Sequence, residues 1–311
     1  MQKLSDLPAD NHRPEPIIEL VPTVPAEPPM VEAVEAIVPS TQPSDTIVVN
    51  ADTQPSADFS LNTERALADL EVGLTAKHAG NLIEARTRLN LALHGGLPQE
   101  QVRSTRIELA ELADKTVFSF GVAAADPLAE YYTVRSGDSL ARIAHRYKLT
   151  DDLLATINRI PNKNIIREGM RLKVLHGPFH VSINKSNHMM HVYLQDVYVW
   201  SARVALGANG STPTGVWQVI VRQENPQWVD PRTGQRWHPN DPDNPIGNFW
   251  IGLEGVKGDA VGQSGYGIHG TIEPETIGQD VSLGCVRLAD DDIARVFTLL
   301  VPYESYVTIH D

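Results

Sequence analysis

The chain has 311 residues, more than one average domain, and its 41% apolar content supplies one or two sizeable cores. A formal net charge of −13 argues against nucleic acid as a partner, because a phosphate backbone is gripped by clustered Lys and Arg. The single cysteine excludes an intramolecular disulfide, and no apolar run approaches the length of a membrane span. The opening "MQKLSDLPAD" lacks the basic and apolar regions of a secretory signal, so an export or anchoring segment, if the protein works outside the membrane, is not visible in this chain.

Residues 1–58 hold ten prolines, no glycine, and ten acidic against two basic side chains. Such a segment is expected to be an extended, disordered linker rather than a packed core. Residues 59–122 change to a helical period. Leu67, Leu70 and Leu74 mark one helix, while Leu82, Ala85, Leu89, Ala92 and Leu93 mark a second after the turn "HAGN". A third helix is expected around residues 102–115. The stretch "LEVGLTAKHAGNLIEARTRLNLAL" resembles a tetratricopeptide-type hairpin. One such unit buries its own apolar face poorly, which suggests a spacer or a docking bundle for a protein partner.

Residues 131–175 read as strand, helix, helix, strand. Ser136 or Asp138 is expected to cap a helix with Leu140, Ile143, Ala144 and Tyr147 on one face, and Thr150 to cap a second with Leu153, Leu154 and Ile157. The order, with "YTVRSGDSLARIAHRY" and "IREGMRLKV", resembles a LysM domain. That resemblance implies binding to an N-acetylglucosamine backbone in a groove between the loops 136–140 and 160–165. Its contact residues would be Ser136, Gly137, Asp138, Leu140, Ile160, Asn162 and Ile165.

Residues 178–311 read as mainly β, a sandwich or barrel with one or two helices, one of them "DDIARVFTLL" capped by Asp290. This part holds the cysteine, in "GYGIHGTIEPETIGQDVSLGCVRL". Cys285 follows Gly284, where an approaching acyl group needs room, and His269 is near enough in sequence to serve as its base. His269 and Arg287 are expected to favour the thiolate and so to depress the thiol pKa. His188 and His191 in "HMMH" would point to opposite faces of an alternating strand without a carboxylate or thiol to complete a ligand set, so neither a metal nor another cofactor is expected.

His269-Gly270, a spacer, and "SLGCVR", together with "STPTGVW" and "NPIGNFWIGL" upstream, resemble the L,D-transpeptidase catalytic domain, also called YkuD. Leu283 stands where many members carry a second histidine. The resemblance implies Cys285 as nucleophile, His269 as base and later acid, and the Gly270 carbonyl orienting the imidazole. Backbone N–H groups around Gly284 and Cys285 would form the oxyanion hole. Ser282, Arg287 and Tyr266 would lie at the substrate, and Trp228 and Trp237, in a Pro-rich polar stretch, would form a lid over it. The implied protein is a cysteine acyltransferase of the bacterial envelope. It would take a stem tetrapeptide of peptidoglycan as donor and an amine as acceptor, giving 3→3 cross-links through a thioester. Transfer to water or to an envelope protein, or an inactive wall-binding scaffold, are the alternatives.

Overall fold

The structure, a computed structural model, describes residues 57–311. The expected Pro-rich linker lies, but for its last two residues, outside the described residues.

Three helices come first: α1 (Ala57–His78), α2 (Leu82–His94) and α3 (Gln99–Thr116). Ala85, Leu89 and Ala92 of α2 and Leu109 and Leu112 of α3 are fully buried, as the helical period requires. Part of that cover comes from outside the hairpin. Tyr193 and Tyr198, from the sheet described below, pack into the cluster of Ala85, Leu89, Leu109 and Leu112. A single repeat that cannot close its own core is closed here by a neighbouring surface.

The LysM module is built from β1 (Ala129–Thr133), α4 (Leu140–Arg146), α5 (Asp151–Ile157) and β2 (Arg171–Leu175), with β1 and β2 antiparallel. Ser139, rather than Ser136 or Asp138, caps α4 by accepting the Arg142 N–H at 3.3 Å. The Asp138 carboxylate is engaged instead by the Arg135 N–H at 2.8 Å and the Tyr132 hydroxyl at 2.7 Å. Thr150 caps α5 through Leu153 N–H at 3.0 Å, and the same hydroxyl donates to the Thr298 carbonyl of the C-terminal part.

The remaining chain supplies β3 (Phe179–Asn184), β4 (Met189–Leu194), β5 (Val197–Arg203), β6 (Leu206–Gly207) and β7 (Gly215–Glu224). Then follow β8 (Trp228–Val229), β9 (Arg236–Trp237), β10 (Phe249–Lys257), β11 (Tyr266–His269), β12 (Asp280–Ser282) and β13 (Val286–Arg287). Helix α6 (Asp290–Leu299) and β14 (Tyr306–His310) end it. Eight strands form one sheet in the order β13-β11-β10-β7-β14-β3-β4-β5. Two residues beyond β5, Ala205 makes an isolated antiparallel bridge to Arg287 of β13. The chain leaving one end of the sheet order therefore meets the other end. Helix α6 buries Ile293, Val296, Phe297 and Leu299; Ala289 occupies its cap position with no side-chain bond, and Asp290 is its first helical residue. Asp290, Asp291 and Asp292 place negative charge on the positive end of that helix.

A buried polar junction joins the helical region to LysM. Arg86 on α2 forms a two-pronged pair with Asp126, at 2.5 and 3.2 Å, and also donates to Thr116 at 3.0 Å. Lys173 of β2 is fully buried and donates to the carbonyls of Thr116 at 2.6 Å and Ser119 at 2.9 Å, at the C-terminal end of α3. Burial lowers its pKa to about 8, against the opposing pull of Asp126. A charge taken out of water and then deprived of its partner is strongly unfavourable, so Asp126→Asn is expected to destabilise by about 3–5 kcal/mol. Glu304→Gln, which breaks the more exposed Lys148–Glu304 pair at 2.9 Å, should barely shift the midpoint of a denaturant titration run beside it.

Candidate active site

Strand β13 lies parallel to β11, pairing Ile268 with Val286 and His269 with Arg287. Cys285 directly precedes β13, opposite Gly267 by continuation of that register. Side chains alternate along extended chain, so Cys285, Arg287 and His269 fall on one face. The convergence has an electrostatic signature, since the Arg287 charge acts on both the thiol and the imidazole. The fifteen residues between His269 and Cys285 therefore form a crossover that returns the chain beside its own strand.

His269 is buried, 4% exposed, with Nδ1 2.7 Å from the Gly270 carbonyl. A carbonyl only accepts, so Nδ1 carries the proton and Nε2 is the bare acceptor. The Trp250 indole, from the register partner of His269 on β10, stacks on the imidazole with centroids 5.8 Å apart and planes 21° from parallel. Gly267 leaves the room for it: a Cβ there would lie 2.5 Å from the indole.

Burial holds the His269 pKa down at about 4; the Gly270 bond opposes this and Arg287 reinforces it. Burial also pushes the Cys285 thiol up to about 11, although a hydrogen bond from the Gly267 backbone and the Arg287 charge both pull it down. The depressed thiol expected from sequence is thus reversed. Desolvation of the thiolate outweighs Arg287, whose guanidinium is itself paired with Glu273 at 3.1 Å. At rest the thiol and the imidazole are both neutral, and Cys285 as a whole residue is only partly buried.

The loop before the thiol is tightly held. Gly284 has φ 143, a backbone region open to glycine, and a Cβ on it would come within 2.7 Å of the Tyr266 ring. Ser282 is buried; its hydroxyl donates to the Cys285 carbonyl at 2.6 Å and accepts the Gly284 N–H at 3.0 Å. Because that N–H is engaged, Gly284 does not offer it to an oxyanion, and the Cys285 N–H, next along the chain, is the donor available at the thiol. Ser282 accordingly braces the loop and has no surface for substrate. Tyr266 is half-buried beside Gly284, tilted against Trp217 with ring centroids 5.0 Å apart, and burial together with the Cys285 charge raises its phenol pKa.

Trp228 and Trp237 face each other across the small β8–β9 hairpin, with rings 5.1 Å apart. Asn244 closes the base of this excursion by donating to the Pro226 carbonyl at 2.8 Å. Gly247, at that base, approaches Gly270 so closely that a Cβ would sit 3.3 Å from the Gly270 Cα. The two tryptophans belong to a hairpin in an excursion whose base, at Gly247, abuts the residue after His269. Sequence reasoning passed over Trp250 and Thr212. The signal for Trp250 was the glycine at 267 on the neighbouring strand; for Thr212 it was only its place in "STPTG".

On LysM, Ser136 and Gly137 are exposed, while Leu140 at 1% exposure and Ile160 at 9% turn into the core. Their side chains therefore offer no sugar contact, contrary to expectation, because both fill the space beneath α4 and α5. Ile165 is 58% exposed and Asn162 is exposed, its side-chain oxygen accepting the Asn164 N–H at 3.0 Å. His188 sits in the turn before β4, with φ 55, and its Nε2 lies 3.0 Å from Asp280; His191 is buried in the sheet. No cluster of three or more metal-ligating side chains occurs among the described residues.

Residues 178–309 match the model of the L,D-transpeptidase catalytic domain, YkuD, and residues 132–175 that of the LysM domain. YqjB of Bacillus subtilis, placed by its name among the L,D-transpeptidases, is 35% identical over 140 residues, 44% of this chain and 74% of that protein. YkuD of the same organism, similarly named, is 27% identical over 187 residues, covering 58% and 98%. Among solved structures, L,D-transpeptidase 3 of Mycobacterium tuberculosis aligns at 14% identity with a TM-score of 0.35, over 46% of this chain and 66% of that one, just under two thirds of its length. The chain belongs to the L,D-transpeptidase family, carrying a YkuD catalytic domain preceded by a LysM domain.

Proposed function

We propose that the protein is a cysteine L,D-transpeptidase that forms 3→3 cross-links in peptidoglycan, held on the wall glycan by its LysM domain. The observation that carries this reading is the locked His269 tautomer, whose unprotonated Nε2 shares a face with the Cys285 thiol. Cys285 Sγ attacks the carbonyl of the third stem residue as its proton passes to His269 Nε2, forming the C–S bond. The tetrahedral oxyanion is received by the Cys285 N–H. Collapse breaks the C–N bond to the terminal D-alanine, which leaves with the proton returned by His269. An acceptor amine then attacks the thioester, His269 takes its proton, and the C–S bond breaks to restore the thiol. Because the resting pair is neutral, proton transfer accompanies attack rather than preceding it. On this reading the hairpin bearing Trp228 and Trp237 acts as a lid that favours an amine over water by limiting solvent at the thioester.

Incubation with disaccharide-tetrapeptide should yield, by mass spectrometry, a dimer that has lost one D-alanine, and a carbapenem should leave a covalent adduct on Cys285. Cys285→Ala should abolish both. Tripeptide as sole product alongside an intact adduct would instead make the enzyme a carboxypeptidase.

The acid limb of carbapenem acylation reports His269 directly. The base works only when neutral, so acylation is lost as pH falls through its pKa. The rate constant should stay level down to about pH 5 and halve near about 4, whereas an ordinary histidine would halve it near about 6.5. Stopped-flow measurement across that range separates the two.

For the anchor, full-length Cys285→Ala should still pellet with isolated peptidoglycan. Ile165→Asp, which puts a charge on an exposed apolar position of the LysM loop, should leave most of the protein in the supernatant.

A further inference from the structure

Gly284 and Cys285 share one peptide plane. Across a trans peptide the carbonyl of the first residue and the N–H of the second point in opposite directions. Whatever holds the Gly284 carbonyl therefore aims the Cys285 N–H. Glycine alone does not hold it, because a residue without Cβ rotates freely about ψ.

The Gly284 carbonyl accepts a hydrogen bond from the Thr212 hydroxyl at 2.8 Å. Thr212 is 1% exposed and lies seventy-two positions earlier in the chain. Its hydroxyl oxygen is in turn occupied by the Gly207 N–H at 2.8 Å, so the hydroxyl proton is committed to Gly284. The Thr212 carbonyl accepts from Lys185 Nζ at 2.9 Å, which fixes the residue from its other side. Close packing adds to this, since a Cβ on Gly207 would lie 2.8 Å from the Gly284 Cα. We infer that Thr212 is a positioning residue for the oxyanion hole: its hydroxyl pins the Gly284–Cys285 peptide plane so that the Cys285 N–H points at the developing oxyanion. The inference rests on Cys285 being the nucleophile.

Two reactions of the same sulfur separate this role from a general structural one. Acylation by a carbapenem passes through a tetrahedral oxyanion, whereas alkylation by iodoacetamide displaces iodide and forms none. Thr212→Val keeps the shape and removes the hydroxyl; Thr212→Ser keeps the hydroxyl. Loss of a whole oxyanion donor costs about 10²–10³ in rate, and a donor left present but unaimed should cost roughly 10- to 100-fold. The expected result is that Thr212→Val loses that factor in acylation while its alkylation rate stays within about twofold of the parent, and that Thr212→Ser recovers most of it. If Thr212→Val fails to fold, Thr212→Ala, which removes the hydroxyl without adding bulk, carries the same comparison. Acylation at the parental rate in a variant lacking the hydroxyl overturns the inference. So does an equal loss in both reactions, which would mean that Thr212 acts on the thiol. A parent that is alkylated but never acylated at Cys285 would remove the nucleophile assignment itself, a failure distinct from either.

Discussion

The catalytic arrangement depends on the short parallel pairing of β13 with β11. Only two register pairs define it, and two residues are too few to hold a strand at a sheet edge unaided. The second edge is supplied by Ala205, whose N–H and carbonyl exchange 2.9 Å bonds with those of Arg287. Arg287 is thereby paired on both sides, with His269 on one and Ala205 on the other. The residue two positions ahead of it, Cys285, inherits its place from that double anchorage. A shift of one residue would send the thiol to the opposite face from His269.

The same economy explains why the domains are docked rather than strung together. The helical hairpin has an apolar face that its own helices do not cover, and the tyrosines of β4 and β5 cover it. LysM contributes Lys173 to the carbonyl end of α3 and Thr150 to a carbonyl of α6, while Asp152 of α5 pairs with Arg222 of β7 at 3.3 Å. Arg222 lies over the Phe297 ring at 4.0 Å, so this contact runs into the core beneath α6. Contacts of this kind fix orientation as well as proximity. On the proposed reading, a glycan held by LysM meets the thiol from a restricted direction, and the gain in effective concentration applies to stems within that reach.

Much of this was legible in the sequence because the signals are local. Leucines at helical spacing give α1 and α2, Thr150 gives a cap, and the glycines around His269 and Cys285 mark backbone that must approach closely. What stayed hidden was set by partners distant in the chain. The cap of α4 moved to Ser139 because Asp138 found Tyr132 and Arg135 instead. The sugar contacts expected of Leu140 and Ile160 are lost to the core, since a small module spends its few apolar side chains on its interior. The sign of the thiol shift could not be read at all. Sequence shows the cations near a cysteine but not the burial that opposes them.

That reversal bears on how such a site avoids wasteful chemistry. A standing thiolate would react with any accessible electrophile or oxidant, whereas a thiol held neutral near pH 7 becomes nucleophilic only when its proton has somewhere to go. On the proposed reading the acceptor is Nε2 of His269, an imidazole kept neutral by the same burial, with the Trp250 ring against its face and the Gly270 carbonyl on its other nitrogen. Desolvation thus acts on both partners in the same sense, raising the acid and lowering the base. The cost falls on forming the ion pair, and a carbonyl whose oxyanion is met by a fixed N–H offsets it, because negative charge then moves from sulfur to an oxygen with a donor in place. On the proposed reading, a preference for carbonyl substrates follows from that coupling.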